Sequence, residues 1–315
     1  MEYRNLGQTD LTTSVIGFGC NLIGETPTLR DHREAETTLR QSFDRGINLY
    51  DTADVYSQGD SERMLGSVFR GRRDEVIICS KAGCSAGLFR RPDQWVVPAA
   101  KRFLRRWKPV HDIVKAVRNT QKGKSFAPRY LRTAIEGSLR RLRTEYLDMF
   151  LLHSPPIELV TDGAVLELLA SLKAKGLIRH YGVSISNHGS TDDAIAWIGV
   201  SGISVVQVLS NPLRSIDIEK IIPMAREKGV GVIARQPFHK GQIFSDRHVQ
   251  EIAGKDRRRT VAQIALQFAM QSKSVSSVLV GMRSREHLND NVGSLSCPPL
   301  TPDEITALRD LTTIQ

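Results

Sequence analysis

The chain has 315 residues, is 40% hydrophobic and 25% charged, and carries a formal net charge of +10, a composition typical of a soluble globular protein with a large core. It has no apolar run of the length that a membrane span needs, and its first residues lack a signal-peptide pattern, so we expect no membrane partner and a cytoplasmic protein. The cysteines are too few and too scattered for a disulfide framework or a zinc site, and we expect no metal.

Strand-like and helix-like patterns alternate along most of the sequence. Residues 3–14 contain two short extended pieces around a Gly-Gln-Thr-Asp turn and predict a hairpin. Eight strand-like runs follow, at residues 15–20, 47–50, 75–80, 147–152, 178–184, 204–209, 230–235 and 276–281. Segments with helical spacing lie at residues 32–43, 61–69, 127–142, 163–173, 192–198, 218–228, 261–270, after 284 and from 302.

The eight runs predict the fold class. Nearly all are continuously apolar, as parallel strands buried on both faces are. We therefore predict an α/β fold, a (β/α)8 TIM barrel with an N-terminal β-hairpin, in a single domain over residues 1–315. The alternative, a doubly wound open sheet, needs a GxGxxG turn after the first strand, whereas residues 17–22 read Gly-Phe-Gly-Cys-Asn-Leu.

A long insertion interrupts the alternation at residues 82–126, after the third strand. Insertions of this length on a barrel are usually functional, and we expect this one to cover the active-site mouth. Residues 101–124 contain nine Lys and Arg against one acid. Attraction of an anionic substrate or cofactor is the interpretation that we prefer. A nucleic-acid or membrane module is the weaker alternative, because no nucleic-acid motif accompanies the charge.

Ionisable residues end three successive strand-like runs. Asp51 ends the run 47–50, Lys81 ends the run 75–80, and His153 ends the run 147–152. Tyr56 follows Asp51 in a loop, before a helix that Asp60 or Ser61 can cap. Because the C-terminal ends of barrel strands meet at one rim, we expect these four side chains to lie together.

The four residue types suit carbonyl reduction. A phenol has a reference pKa of about 10, but a nearby ammonium lowers it, so Lys81 is expected to make Tyr56 more acidic. Asp51 would pair with Lys81, and His153 could donate a hydrogen bond to a carbonyl oxygen beside the phenol. Each residue alone is commonly structural, as a loop cap, a packing ring or a surface cation. Together they form a donor set for a developing alkoxide, with Tyr56 as general acid or base.

Several sequence blocks resemble the aldo-keto reductases, and the likeness runs the whole length of the chain. The blocks are MEYRNLG (1–7), NLYDTADVY (48–56), CSK (79–81), SLRRL (138–142) and DMFLLH (148–153). The resemblance implies that Asp51, Tyr56, Lys81 and His153 are the catalytic residues. It also implies a barrel oxidoreductase that binds NADPH/NADP⁺ without a Rossmann domain.

The resemblance also implies cofactor-binding residues in the C-terminal half. Ser184 and Gln207 would hold the nicotinamide carboxamide, and Arg235 would stack on the ring. Ile185 stands where the family usually has Asn, and Asn187 is the nearby substitute. The pyrophosphate loop would include Pro237, Lys240 and Gly241.

The last of these implied residues would hold the adenine end. Gly281 starts the segment; Arg283 and His287 would face the 2′-phosphate, although the family commonly has Arg or Gln at the position of His287. Asp290 and Asn291 would hold the adenine. The basic pair favours NADPH over NADH, because a guanidinium matches phosphate geometry.

We predict a reductase of aldehydes or ketones, or the reverse alcohol oxidation, acting on a small-molecule carbonyl or alcohol. Cys20, Asn21 and Trp95 are candidates for substrate contact. The alternative is a cofactor-binding regulatory subunit with little turnover, because potassium channel beta subunits resemble the same family. The sequence indicates neither the substrate nor the oligomeric state.

Overall fold

Eight parallel strands close into a barrel in the computed structural model, which describes residues 1–24, 28–84, 123–185, 188–255 and 258–313. In chain order the strands are β1 Tyr3–Asn5, β2 Thr12–Ser14, β3 Ile16–Gly19, β4 Leu49–Asp51, β5 Ile77–Ala82, β6 Leu147–His153, β7 Ile178–Ser184, β8 Val205–Asn211, β9 Arg214–Ser215, β10 Gly231–Arg235 and β11 Val275–Gly281. The parallel set is β3–β8, β10 and β11, and β11 pairs with β3 to close the ring. The predicted (β/α)8 barrel is confirmed.

The helices surround the barrel and alternate with its strands. They are α1 Leu29–Asp44, α2 Asp60–Val68, α3 Pro128–Leu142, α4 Gly163–Ala174, α5 Thr191–Ile198, α6 Ile218–Lys228, α7 Arg247–Lys255, α8 Val261–Met270, α9 Arg285–Gly293 and α10 Pro302–Thr313. Capping boxes at Thr28, Ser190 and Thr260 start α1, α5 and α8, where they satisfy otherwise unpaired amides. Nowhere in the described ranges does a helix combine the length and apolarity needed to cross a bilayer.

Three details differ from the prediction. The helix α2 begins at Asp60 after the left-handed Gly59 instead of being capped by Asp60 or Ser61. The strand β5 continues to Ala82, so Lys81 lies inside a strand and not after it. The helix α7 was not predicted, because only Val249 and Ile252 are buried among its nine residues, too few to form a recognisable period.

The apolar core has two principal layers. The larger cluster lies between the strands and the surrounding helices, and in α3 it includes the predicted positions Leu131, Ile135, Leu139 and Leu142. A smaller cluster fills the barrel interior, from Leu49, Ile77, Cys79, Met149, Leu151, Val205, Ile233 and Leu279. Alternate residues of each strand therefore face the two layers.

The predicted N-terminal hairpin, β1 and β2, closes one end of the barrel. Its Leu6 and Leu11 belong to the interior cluster. The Gln8 amide donates to the carbonyl of Gly229, just before β10, and Ser276 at the start of β11 donates to Asn5. These contacts are at the N-terminal ends of the strands, so the opposite, C-terminal end is the one left for a site.

Candidate active site

The interior-facing positions of the strands bring the predicted residues together. Leu49, Ile77 and Met149 face the barrel interior, and side chains two or four residues further along the same strands face the same way. Asp51, Lys81 and His153 occupy those positions at the C-terminal ends of β4, β5 and β6. By the same alternation, interior residues of β7, β8 and β10 continue to Ser184, Gln207 and Arg235.

Lys81 and Asp51 form a buried ion pair. The Lys81 ammonium donates to Asp51 Oδ2 at 2.6 Å and to the Thr52 carbonyl oxygen at 2.8 Å, and the Lys81 side chain is 1% exposed. Gln207 Nε2 donates to the other Asp51 oxygen at 2.5 Å. Burial opposes the charge of Lys81, but the attraction of Asp51 outweighs it and raises the Lys81 pKa. The ammonium is therefore held charged and fixed.

A strained turn presents Tyr56 to this pair. The residues that follow it, Ser57, Gln58 and Gly59, have φ angles of 48°, 59° and 88°, in the left-handed region that costs energy for residues other than glycine. The Tyr56 hydroxyl lies 3.5 Å from Lys81 Nζ. The backbone of the turn is therefore strained, and in this conformation the Tyr56 phenol contacts the Lys81 ammonium.

The predicted effect of Lys81 on Tyr56 is outweighed in the structure. Burial raises the pKa of the Tyr56 phenol above its ordinary value of 10, although the Lys81 charge lowers it. Lys81 thus acts on the Tyr56 pKa in the predicted direction, but its effect is smaller than that of burial. Tyr56 is protonated at neutral pH, which is the state of a general acid.

His153 lies against the Tyr56 ring. The two ring centroids are 5.9 Å apart at an interplanar angle of 86°. Burial, with the charges of Lys81, Arg235 and Lys124, lowers the pKa of His153 to about 3. The imidazole is therefore neutral at physiological pH, and its Nδ1 has no hydrogen-bond partner among the described residues.

The nicotinamide-binding positions predicted by resemblance lie beside the ion pair. Ser184 pairs in register with Gln207, across β7 and β8. Gln207 Oε1 is buried and has no hydrogen-bond partner in the described part of the chain, so it can accept from a carboxamide. Arg235 donates to the Ile185 carbonyl oxygen, so the backbone of Ile185, and not its side chain, helps to hold Arg235 in the site. Asn187 lies outside the described residues.

The predicted pyrophosphate loop has an unusual backbone. Gln236, His239, Lys240 and Gly241 all have φ between 44° and 95°. Lys240 and Gly241 are exposed, whereas Pro237 is buried. Left-handed residues turn successive amides toward one side, a geometry that suits an anion.

The adenine end is built around the start of α9. Ser284 caps this helix by accepting from the His287 amide, and the exposed Arg283 and His287 flank the cap, after Gly281. A helix N-terminus with adjacent cations suits a phosphate. Asn291 is buried, and its Nδ2 has no hydrogen-bond partner among residues that the structure describes, so this amide is available to a base.

Asp290 has an additional role that the sequence did not indicate. Its carboxylate accepts from Thr260 Oγ1 at 3.0 Å and from Gln263 Nε2 at 3.0 Å. It therefore ties α9 to the capping box of α8, and any contact with a ligand would be shared with this structural role.

The predicted substrate contacts have different environments. Cys20 is fully buried, and its thiol donates to the Phe18 carbonyl oxygen, so the side chain is not open to a substrate. Asn21 is exposed and lies beside Gly281. Trp95 and nearly all of the basic stretch 101–124 lie outside the described residues.

Sequence reasoning missed the group that supports the Tyr56 turn. Glu62 of α2 is fully buried; it accepts from Ser80 Oγ and from Arg141 Nε, both at 2.6 Å. Arg141 also packs against Gly59. The only signal in the sequence was an acid in the first turn of α2 and an Arg in the block 138–142, and their pairing depends on the packing of α2 against α3.

The described ranges contain no group of three or more His, Cys, Asp or Glu side chains placed to hold a metal ion. The described site offers an ammonium–carboxylate pair, a protonated phenol and a neutral imidazole. A (β/α)8 barrel with these groups at the C-terminal ends of its strands has the arrangement of the barrel enzymes, which bind and convert their substrates at that end.

Comparison with known proteins gives the family. The model of the Aldo/keto reductase family matches residues 15–313. An uncharacterized oxidoreductase of Bacillus subtilis (strain 168), YqkF, is 26% identical over 336 aligned positions that cover 99% of this chain and 97% of the relative. The chain therefore belongs to the aldo/keto reductase family, a family of oxidoreductases.

Solved structures agree. The holo form of the aldo-keto reductase AKR11C1 from Bacillus halodurans is 25% identical with a TM-score of 0.75, and the match covers 99% of this chain and 96% of that one. An aldo-keto reductase from Klebsiella pneumoniae in complex with NADPH is 26% identical with a TM-score of 0.71, over 99% of this chain and 96% of that one.

Proposed function

We propose that the protein is an NADPH-dependent oxidoreductase that acts on a small molecule. It would reduce an aldehyde or ketone to an alcohol, or catalyse the reverse oxidation of the alcohol. The observation that carries the proposal is the Lys81–Asp51 ion pair with the Tyr56 hydroxyl 3.5 Å from its ammonium. When bound, the nicotinamide would supply or accept the hydride. The residues of the chain would manage the proton and the negative charge on oxygen.

Tyr56 is the general acid of the proposal. As hydride reaches the carbonyl carbon, negative charge develops on the oxygen, and the phenol donates its proton there. Lys81 stabilises the phenolate that is left, at the 3.5 Å distance between their polar atoms. Asp51 keeps Lys81 charged in a buried site where an unpaired ammonium would be costly.

His153 orients the carbonyl. Its pKa of about 3 keeps the imidazole neutral, so it donates a hydrogen bond without competing with Tyr56 as a proton source. Its edge-on contact with the Tyr56 ring, at 5.9 Å between centroids, supports a role in which both groups face one substrate oxygen.

The cofactor assignment rests on a chain of polar groups along the C-terminal ends of β7 to β11. Gln207 Oε1 and Asn291 Nδ2 are buried polar atoms without partners in the described residues, and they suit the carboxamide and the adenine. Arg235 would stack on the nicotinamide; Arg283 and His287, beside the α9 cap, would hold the 2′-phosphate. A site with these cations at the 2′-phosphate position favours NADPH over NADH.

Replacing Tyr56 with Phe tests the proposal. The variant keeps the ring and loses the donor, so kcat for benzaldehyde reduction with NADPH should fall about 100- to 10,000-fold, the range of general acid catalysis. NADPH binding, measured by quenching of protein fluorescence, should remain.

Three results would count against the proposal or a part of it. A kcat within about tenfold of the parent would remove Tyr56 from its role. Tight NADPH retention with very slow single-turnover reduction of every carbonyl tried would instead indicate a cofactor-sensing regulatory protein. Equal affinity for NADH and NADPH would remove the 2′-phosphate assignment alone.

A further inference from the structure

A hydrogen-bonded chain that the proposed reaction does not use links Asp54 to the active-site mouth. The Tyr130 hydroxyl, on α3, lies 3.3 Å from Asp54 Oδ2 and 3.4 Å from the Cys84 carbonyl oxygen. The Cys84 thiol donates to the His153 carbonyl oxygen at 3.5 Å. A carboxyl group in the turn after β4 is thus connected to the backbone that carries His153.

The protonation state of Asp54 decides how this chain is bonded. A tyrosine hydroxyl has one hydrogen and can donate it to one acceptor at a time. An ionised Asp54 only accepts, so it takes the Tyr130 hydrogen and leaves the Cys84 carbonyl without it. A protonated Asp54 donates to the Tyr130 oxygen, and Tyr130 then donates to Cys84. Protonation therefore adds one hydrogen bond at Cys84.

The surroundings of Asp54 favour its protonated form. Its Oδ1 is buried without a hydrogen-bond partner among the described residues. Burial, reinforced by the Glu62 carboxylate of α2, raises the pKa of Asp54 to about 7, while Arg141 and Tyr130 of α3 and the Val55 amide lower it by less.

The other ionisable groups near the chain are cations on the Cys84 side. Lys81 and Lys124 both act on the Cys84 thiol, whose pKa burial nevertheless raises above 9.0. Lys124 also donates to the Ser154 carbonyl oxygen at 2.9 Å, so the strand end after His153 is held on this side as well.

We infer that Asp54 is a positioning residue: when it takes up a proton, the Tyr130 hydrogen fixes Cys84 and with it the strand end that carries His153, so that carbonyl reduction is faster below neutral pH than above it. The kinetic part of this inference rests on the proposed function.

The two catalytic groups that face the substrate carbonyl in the proposal, His153 and Tyr56, do not account for such a pH dependence. His153 has a pKa of about 3, and the pKa of Tyr56 is raised above 10.0. Neither changes its protonation between pH 6 and 8. An inflection in kcat/KM near pH 7, where Asp54 titrates, is therefore expected from Asp54.

The kinetic test uses Asp54→Asn and Tyr130→Phe in the full chain. In the parent, kcat/KM for benzaldehyde with NADPH should fall about two- to tenfold from pH 6 to 8, the range that one hydrogen bond is worth. Asp54→Asn keeps a permanent donor to Tyr130, so its profile should be flat near the acid-side value. Tyr130→Phe should be flat at the lower value.

The control is Asp74→Asn. Asp74 is an exposed acid remote from the Asp54–Tyr130–Cys84 hydrogen bonds, so this variant should retain the parent profile. An inflection that persists in Asp54→Asn or in Tyr130→Phe would overturn the inference.

A second measurement does not depend on turnover. Difference infrared spectroscopy between pH 5 and 9 should show a protonated carboxyl band with a midpoint near 7 that is absent in Asp54→Asn. In Tyr130→Phe the midpoint should move upward, because the Tyr130 hydrogen bond favours the ionised form. If the parent reduces no carbonyl, the proposed function fails while this titration still decides the state of Asp54. Lack of such a band, or an unchanged midpoint in Tyr130→Phe, overturns the inference.

Discussion

At the residue scale, the site is governed by the competition between burial and neighbouring charge. Asp51 holds the charge of Lys81 against burial, yet Lys81 does not overcome the burial of Tyr56. A direct contact of 2.6 Å with a full charge outweighs desolvation, whereas a contact of 3.5 Å does not. Each ionisation state depends on the distance to a neighbouring charge and on the burial of the side chain, and neither can be read from the sequence.

His153 carries a stability prediction at this scale. Its pKa is about 3 in the folded protein against an ordinary value of 6.5. Below pH 6.5 the unfolded chain binds a proton at residue 153 that the folded protein does not, so stability falls as pH falls toward 3, by up to about 1.4 kcal/mol per pH unit. Replacement by Gln should remove this part of the acid sensitivity.

Urea unfolding at several pH values from 7 to 4.5 measures the effect. The free energy of unfolding of His153→Gln should fall less steeply with acid than that of the parent. His248→Gln is the matched control, because the His248 side chain is 70% exposed, and it should follow the parent. Parallel curves for His153→Gln and the parent would contradict the low pKa.

At the element scale, the site depends on the register of β7 against β8. Gly182 pairs with Val205, and this register sets Ser184 opposite Gln207. A Cβ at residue 182 would lie 1.8 Å from the Val205 carbonyl oxygen. Glycine is therefore required by close approach of two backbones, and not by backbone conformation.

Replacing Gly182 with Ala should force the two strands apart. We expect a loss of about 3 kcal/mol or more in the free energy of unfolding, together with weaker NADPH binding, because Ser184 and Gln207 lose their spacing. Urea denaturation and fluorescence quenching measure the two effects. Gly163→Ala, at the start of α4 with open space around it, should change stability by at most about 1 kcal/mol. A Gly182→Ala protein as stable as the Gly163→Ala protein would show that the strands can separate at little cost.

At the scale of the whole molecule, the barrel has one closed end and one reactive end. The hairpin fills the N-terminal end with Leu6 and Leu11, while the ion pair and Tyr56 lie at the C-terminal end. Stability and chemistry are thus assigned to opposite ends of the same eight strands.

The separation of the two ends can be tested with Leu6→Ala. Leu6 is fully buried in the interior cluster, so its truncation should lower the free energy of unfolding by about 2–5 kcal/mol. The affinity for NADPH should be unchanged, because the cavity that the truncation leaves is at the N-terminal end of the barrel, opposite the proposed cofactor site. Leu29→Ala, at a side chain 81% exposed, should alter stability by about 0.5 kcal/mol or less. A large loss of NADPH affinity in Leu6→Ala would show that the ends are coupled.

The sequence by itself determined the barrel and most of the positions at its mouth. Continuous apolar runs separated by helical periods admit few arrangements other than eight parallel strands. The period of two along a strand then assigns Asp51, Lys81 and His153 to one rim. Only the tertiary structure decided the rest: the Glu62–Arg141 pair, the Asp54–Tyr130–Cys84 chain and the protonation of Tyr56. These depend on distances between residues up to about eighty positions apart in the chain and on exclusion of water, neither of which is encoded in local spacing.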